Sequence, residues 1–202
     1  MRSIVAFFVI AFSAFSVAEE PANAMGSLQA KLAALNTFSA GFKQETKVQD
    51  GFVLDEQFGQ MHFVRPNLLR WEAKEPFAQT LVADGRHIFL YDPDLNQVTQ
   101  RNWISDPTQN PAAIFASDAL IESHFSVTAA DEVFYLKPLS ESSSLLELRL
   151  RFEGDTPLAM EMDDNLGQTT EITFSDQEVD VSLDPSLFIF DIPEGAEIVT
   201  DG

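Results

Sequence analysis

Leu146-Glu147-Leu148-Arg149-Leu150-Arg151-Phe152 places an apolar residue at every second position and a charge between each pair. A helix would scatter these apolar side chains around its axis, whereas an extended strand gathers them on one face and leaves the charges in water. Leu158-Ala159-Met160-Glu161-Met162 and Thr170-Glu171-Ile172-Thr173-Phe174 repeat the pattern. Turn formers interrupt such runs at hairpin distances. Asp50-Gly51 and Asp84-Gly85 are expected to form type I′ turns, in which both central residues take positive φ. Asp92-Pro93-Asp94, Glu153-Gly154-Asp155 and Asp164-Asn165-Leu166-Gly167 read as longer polar turns. Counting between the turns gives roughly ten short strands in meander order. The expected fold is mainly β: a strongly curved antiparallel sheet, an unclosed β-barrel.

Two stretches have helical spacing instead. Leu28, Leu32 and Leu35 share one face of Ser27–Leu35, with Ser27 as a plausible N-cap. Within Asn110–Ser123, Pro111–Ala116 and Asp118–Ile121 read as two short helices, Pro111 in a first turn and Asp118 as a cap. These pieces have little polar surface, so they must cover something apolar, and the concave side of the sheet is what is available. Neither repeats nor linkers divide the chain. Residues 25–202 are expected to form one domain.

The N-terminus is a cleavable export signal in layout. Arg2 precedes an apolar run from Ile4 to Ala14, and small residues recur at Ser16-Val17-Ala18 and Ala22-Asn23-Ala24. Residues 1–24 are therefore expected to be a signal peptide, cut after Ala18 or after Ala24. Without cysteine, the chain has no disulfide, thiolate metal site or thioether lipid anchor. The formal charge of −20 becomes −19 when cleavage after Ala24 removes Arg2, Glu19 and Glu20. Such a surface repels nucleic acid and anionic lipid headgroups.

Motifs that carry chemistry are missing. His62, His87 and His124 lie far apart in sequence, there is no G-x-S-x-G elbow, and no glycine-rich phosphate loop occurs. With 32 acidic residues, carboxylate pairs arise by chance. No metal, no cofactor and no enzymatic activity are expected. What the chain has in excess is apolar surface: Phe52, Phe58, Phe63, Leu69, Trp71, Leu81, Phe89, Tyr91, Trp103, Ile114, Phe115, Met160 and Met162. Composition is satisfied by an ordinary packed core, while a curved sheet under short helices has the geometry of a lined cavity. Methionines on an inward strand face would let such a cavity adapt to flexible ligands.

Gly59-Gln60-Met61-His62-Phe63-Val64-Arg65-Pro66-Asn67-Leu68-Leu69-Arg70-Trp71 resembles the R-P-N-x-x-x-W signature of the LolA family, periplasmic carriers of outer-membrane lipoproteins. The resemblance continues through Leu81–Gly85 and Ile88–Val98, returns in Phe188–Gly195, and includes Phe38–Gln44 after the opening helix. It implies an unclosed β-barrel with a helical lid over an apolar cavity, located in the periplasm. By resemblance, Arg65 sits at the cavity mouth and hydrogen-bonds lid backbone in the empty state. A guanidinium, with five donors in a rigid fork, suits that task. Leu69 and Trp71, which share strand parity, would line the cavity with Phe63, Leu81, Phe89, Tyr91, Met160 and Met162, and Ile114 and Phe115 would face them from the lid. The implied cargo is acylated lipoprotein, the donor an inner-membrane LolCDE-type ABC complex, and the acceptor the outer-membrane lipoprotein LolB, with the carrier acting as a monomer. A periplasmic module binding another lipid or glycolipid on the same fold is the alternative.

Overall fold

The computed structural model describes residues 21–102, 113–116 and 119–201. Chain order is α1 (Pro21–Ala34), β1 (Thr37–Val48), β2 (Val53–Val64), β3 (Leu68–Glu75), β4 (Gln79–Asp84), β5 (His87–Asp92), β6 (Gln97–Asn102), α2 (Ala113–Ala116) and α3 (Ala119–His124). It continues with β7 (Phe125–Ala130), β8 (Val133–Pro138), β9 (Leu145–Glu153), β10 (Thr156–Asp164), β11 (Gln168–Val179), a 3₁₀ turn (Pro185–Phe188) and β12 (Glu197–Asp201). All twelve strands belong to one sheet, ordered β12-β6-β5-β4-β3-β2-β1-β11-β10-β9-β8-β7. Its two ends do not pair with each other, so the curved sheet stays unclosed, as the alternation and turns predict.

The sheet is two meanders, β1–β6 and β7–β11, zipped together where β1 pairs with β11. β12 breaks the all-antiparallel expectation. The chain leaves β11, passes the 3₁₀ turn and joins the β6 edge in parallel, with Glu197 opposite Gln97 and Asp201 opposite Arg101. The turn chemistry also differs from the sequence reading. At Asp50-Gly51 and Asp84-Gly85 only the glycine takes positive φ, at 82° and 89°, so neither is a type I′ turn. The two-residue turn with both φ values positive is Asp131-Glu132, joining β7 to β8. Leu146, expected inside, is turned outward. A register slip opposite Asp163 and Asp164 sets Leu145 rather than Leu146 toward the core, while Leu148, Leu150 and Phe152 are buried as their alternation requires.

The concave face and the helices build the core. Leu28, Leu32 and Leu35 of the α1 segment are fully buried against it, as are Ile114 and Ile121 from α2 and α3. Ser27, expected to cap the first helix, lies inside α1, which starts at Pro21; Pro111 and Asp118, the other expected helix starts, lie outside the described residues, as does Trp103. On the convex face of β8, β9, β10, β11, β1 and β2 runs a cross-strand ladder of ion pairs. Lys137 pairs with Glu147 (3.6 Å), Arg149 with Glu147 (3.0 Å), Asp163 (2.7 Å) and Glu161, and Lys43 with Glu45 (3.0 Å) and Glu56 (2.9 Å). Glu45, bonded by both Lys43 and Lys47, is held at a pKa of about 2. A depressed carboxylate stabilises at neutral pH and stops doing so as pH falls through its folded value. An NMR titration is therefore expected to show Glu45 changing charge near pH 2, well below the ordinary carboxylate range.

The convex face of β3–β6 is covered instead. Val82 and Val98 are buried there, outside the main core, beneath the segment between β11 and β12, which contributes the buried Phe188. Asp184 caps the 3₁₀ turn by accepting from the Ser186 amide (2.9 Å), and Arg70 Nη1 donates to the Leu187 carbonyl (3.0 Å). This strap gives the outer face a small apolar layer of its own.

Candidate binding site beneath the helices

Strand register decides which sequence-predicted residues meet. Phe63 lies opposite Leu69 and Met61 opposite Trp71 across β2–β3, and Leu69 and Trp71 lie opposite Ala83 and Leu81 across β3–β4. All six point to the concave side. Met160 and Met162 reach the same interior from β10, opposite Leu150 and Leu148. Ile114 and Phe115 descend from α2. Phe89 and Tyr91 do not join them. The β4–β5 register sets Leu90 opposite Leu81 and Phe89 opposite Val82, so Phe89 and Tyr91 lie on the convex face. There Phe89 stacks on Phe190 of the strap at 5.2 Å between centroids, and Tyr91 leans on the same ring at 6.2 Å.

The interior is graded. Near the β2–β3 turn it is sealed by four aromatic rings. Phe63 stacks on Phe38 (5.4 Å) and on Phe115 (6.0 Å), while Phe174 meets Phe38 (5.7 Å) and Phe115 (6.0 Å) edge-on. Phe115, carried by the roof, thus completes a cluster whose other three members belong to the sheet. Farther along the strands the cover thins: Trp71, Leu81 and Met162 are only partly buried, and Leu90 is exposed. Trp71 is steadied by Phe42, stacked at 3.9 Å. Beyond them the concave face turns polar at Gln44 and Thr46, the latter bonded to Thr170 (3.0 Å).

Two cations fasten the roof. Arg65 stands in the β2–β3 turn, where its Nη1 donates to the Leu32 carbonyl of α1 (2.9 Å) and to the Phe115 carbonyl of α2 (3.0 Å). Both acceptors lie in the last turn of their helix, where carbonyls lack the usual i+4 amide; that of Leu32 accepts from the Leu35 amide (3.1 Å) as well as from Arg65. One guanidinium nitrogen thereby ties two separate helices to the sheet. Lys31 is the second tie and escaped the sequence reading. Its ammonium donates to the Gly154 carbonyl, pairs with Asp155 (3.3 Å) and lies 5.6 Å from the Phe152 ring centre. A cation in the last turn of α1 was the available signal, because it complements the helix dipole. Beside it, a groove of about 370 Å³ runs between α1 and the β7–β8 hairpin, lined by Ser27, Lys31, Ala129, Ala130, Glu132 and Phe134.

An open barrel whose apolar inner face is roofed by helices, and whose roof is held by a few polar ties, is a binding protein for apolar ligands in architecture. The comparisons narrow that class. The family model described as outer membrane lipoprotein carrier protein LolA matches residues 33–191. The outer-membrane lipoprotein carrier protein of Chromohalobacter salexigens is 37% identical, with 87% of this chain and 86% of that protein covered. That of Pseudomonas aeruginosa is 34% identical over the full length of both. Among solved structures, an uncharacterized conserved protein from Thermus thermophilus shares the fold, with a TM-score of 0.52 at 13% identity, covering 90% of this chain and all of the other. This chain belongs to the LolA family of outer-membrane lipoprotein carrier proteins.

Proposed function

We propose that this protein carries the acyl chains of lipoproteins through the periplasm, taking cargo from an inner-membrane ABC-type donor and yielding it to LolB or an equivalent outer-membrane acceptor. The observation that carries the reading is the roof: buried apolar residues of two separate helices lie on the concave sheet, tied to it through Arg65. Six roof side chains, Leu28, Leu32, Leu35, Ile114, Phe115 and Ile121, are withdrawn from water. At about 2 kcal/mol each, they contribute roughly 12 kcal/mol. A sixteen-carbon chain gains about the same by leaving water, at about 0.8 kcal/mol per methylene. One chain therefore roughly balances the roof, and the several chains of a lipoprotein displace it. The empty protein hides its own apolar surface, and the loaded protein hides that of the cargo.

Arg65 weights that exchange toward the closed form. Replacing it with leucine removes two charge-assisted hydrogen bonds, about 2 kcal/mol for a partly buried guanidinium after solvent screening. Because cargo and roof compete, Arg65→Leu is expected to fold normally, hold an acylated protein roughly thirtyfold more tightly, and release it correspondingly slowly to the acceptor. Transfer of a labelled lipoprotein from R65L at the wild-type rate would remove the latch from the mechanism. The helices also bear on processing. α1 begins at Pro21 and Ala24 is fully buried, so cleavage after Ala18 leaves the helix whole while cleavage after Ala24 removes its first turn. N-terminal sequencing of the exported protein should return Glu19 as the first residue; Met25 would contradict this.

A further inference from the structure

The two rims of the sheet are chemically opposite. Five hairpin loops occupy one rim, and they belong to neighbouring strand pairs: β5–β6, β3–β4, β1–β2, β10–β11 and β8–β9. Each presents a large apolar residue to solvent: Leu95 (70% exposed), Phe77 (61%), Phe52 (65%), Leu166 (77%) and Leu139 (58%). On the other rim, where Arg65 lies, the described turns end in Pro66-Asn67, Gly85-Arg86, Asp131-Glu132 and Gly154-Asp155, and none carries an exposed large apolar side chain. Adjacent tips stand two strands apart, about 10 Å. Three are held outward by the same device. Asp50, Asp92 and Asp164 each accept a hydrogen bond from the amide of their tip residue: Phe52 at 3.2 Å, Leu95 at 3.2 Å and Leu166 at 2.9 Å. Polar side chains stand between the interior and these tips: Gln44, Thr46 and Thr170 below Phe52 and Leu166, and Gln79 bonded to Asp92 (3.3 Å) below Phe77 and Leu95.

Charge selects the occupant. Within two residues of every tip stands a carboxylate: Asp50, Glu75, Asp94, Glu141 and Asp164. The single cation at that range, Lys137, is paired with Glu147. An anionic bilayer or a second copy of this chain would meet repulsion at each contact. A basic protein surface with shallow apolar sockets meets complementary charge and spaced anchors. We propose that this rim is the docking surface for such a basic protein, one of the two membrane-anchored partners between which cargo is handed. The proposal rests on the carrier reading for the identity of the partner, not for the surface itself.

Two variants test it in the full-length mature protein. Phe52→Ser/Leu95→Ser/Leu166→Ser removes anchors, and Glu75→Lys/Asp94→Lys/Glu141→Lys reverses charge without touching the turn-capping aspartates. Binding is measured to the purified donor complex in nanodiscs, to the soluble form of the acceptor, to vesicles of 3:1 phosphatidylethanolamine and phosphatidylglycerol, and to the protein itself by sedimentation. The expected result is a loss of about tenfold or more for one of the two proteins in both variants, with wild-type affinity falling as salt rises from about 50 to 200 mM. Uptake of a fluorescent fatty acid stays at the wild-type level. Wild-type affinity of both variants for both proteins overturns the proposal, as does wild-type association with the vesicles or with itself that the substitutions abolish. Failure of the wild type to take up the fatty acid would sink the carrier reading, while the binding comparison still decides the rim.

Discussion

Leu69→Glu is expected to lose acyl-chain binding by at least about a hundredfold at neutral pH. Leu69 is fully buried between Phe63 and Ala83 on the concave face, in the same core as Phe115. A carboxylate there must be ionised in an apolar site, protonated, or carried out to water by opening the roof. The first costs several kcal/mol, and about 3 kcal/mol already exceeds a hundredfold in affinity. Burial pushes a glutamate pKa upward, so the neutral form becomes populated as pH falls. Binding of a fluorescent fatty acid to L69E should therefore recover partly between pH 7.5 and pH 5, whereas L69M should bind nearly as the wild type does. Unchanged affinity of L69E at pH 7.5 would place the ligand somewhere other than the Leu69 face.

How far the sequence could go is clearest at the strands where it succeeded and failed. β9 and β11 alternate cleanly because one of their faces is wet, so the buried positions Leu148, Leu150, Ile172 and Phe174 could be named beforehand. β5 could not be read this way. Ile88-Phe89-Leu90-Tyr91 is apolar throughout: Ile88 meets the core on the concave face, Leu90 stands beside it where the cover thins, and Phe89 and Tyr91 meet Phe190 of the strap on the convex face. Parity is illegible when both faces carry apolar side chains, so the sequence points Phe89 and Tyr91 inward whereas the structure sets them on the strap side. The strap itself left no period to detect, being held by single contacts such as Arg70 to Leu187 and Asn96 to the Gly195 carbonyl. Leu146 failed for a subtler reason, since a bulge shifts register without any change in the sequence pattern. Arg65 was marked by resemblance, but its two carbonyl partners depend on helices meeting over the turn, which periodicity does not encode.

Gly59→Ala is expected to be among the most damaging single substitutions, although it adds one methyl group and leaves a residue that strands tolerate. A Cβ at position 59 would lie 1.9 Å from the Glu72 carbonyl oxygen on β3 and 2.5 Å from the edge of the Phe42 ring. The first contact is with backbone, so β2 and β3 must separate where their register is already irregular, between Phe58 and Gly59. The second drives Phe42 away from Trp71, on which it is stacked. Overpacking of this kind costs about 3 kcal/mol, which lowers the melting temperature of a chain this size by about 10 °C. The two contacts can be separated experimentally. Phe42→Leu in the G59A background clears the ring and leaves the carbonyl clash, so it should return only part of the lost stability. Both variants should bind fatty acid more weakly, because Trp71 loses its support in each. A melting temperature within about a degree of wild type for G59A would mean that β2 and β3 are not held as closely as this packing requires, and that Trp71 is positioned by something other than Phe42.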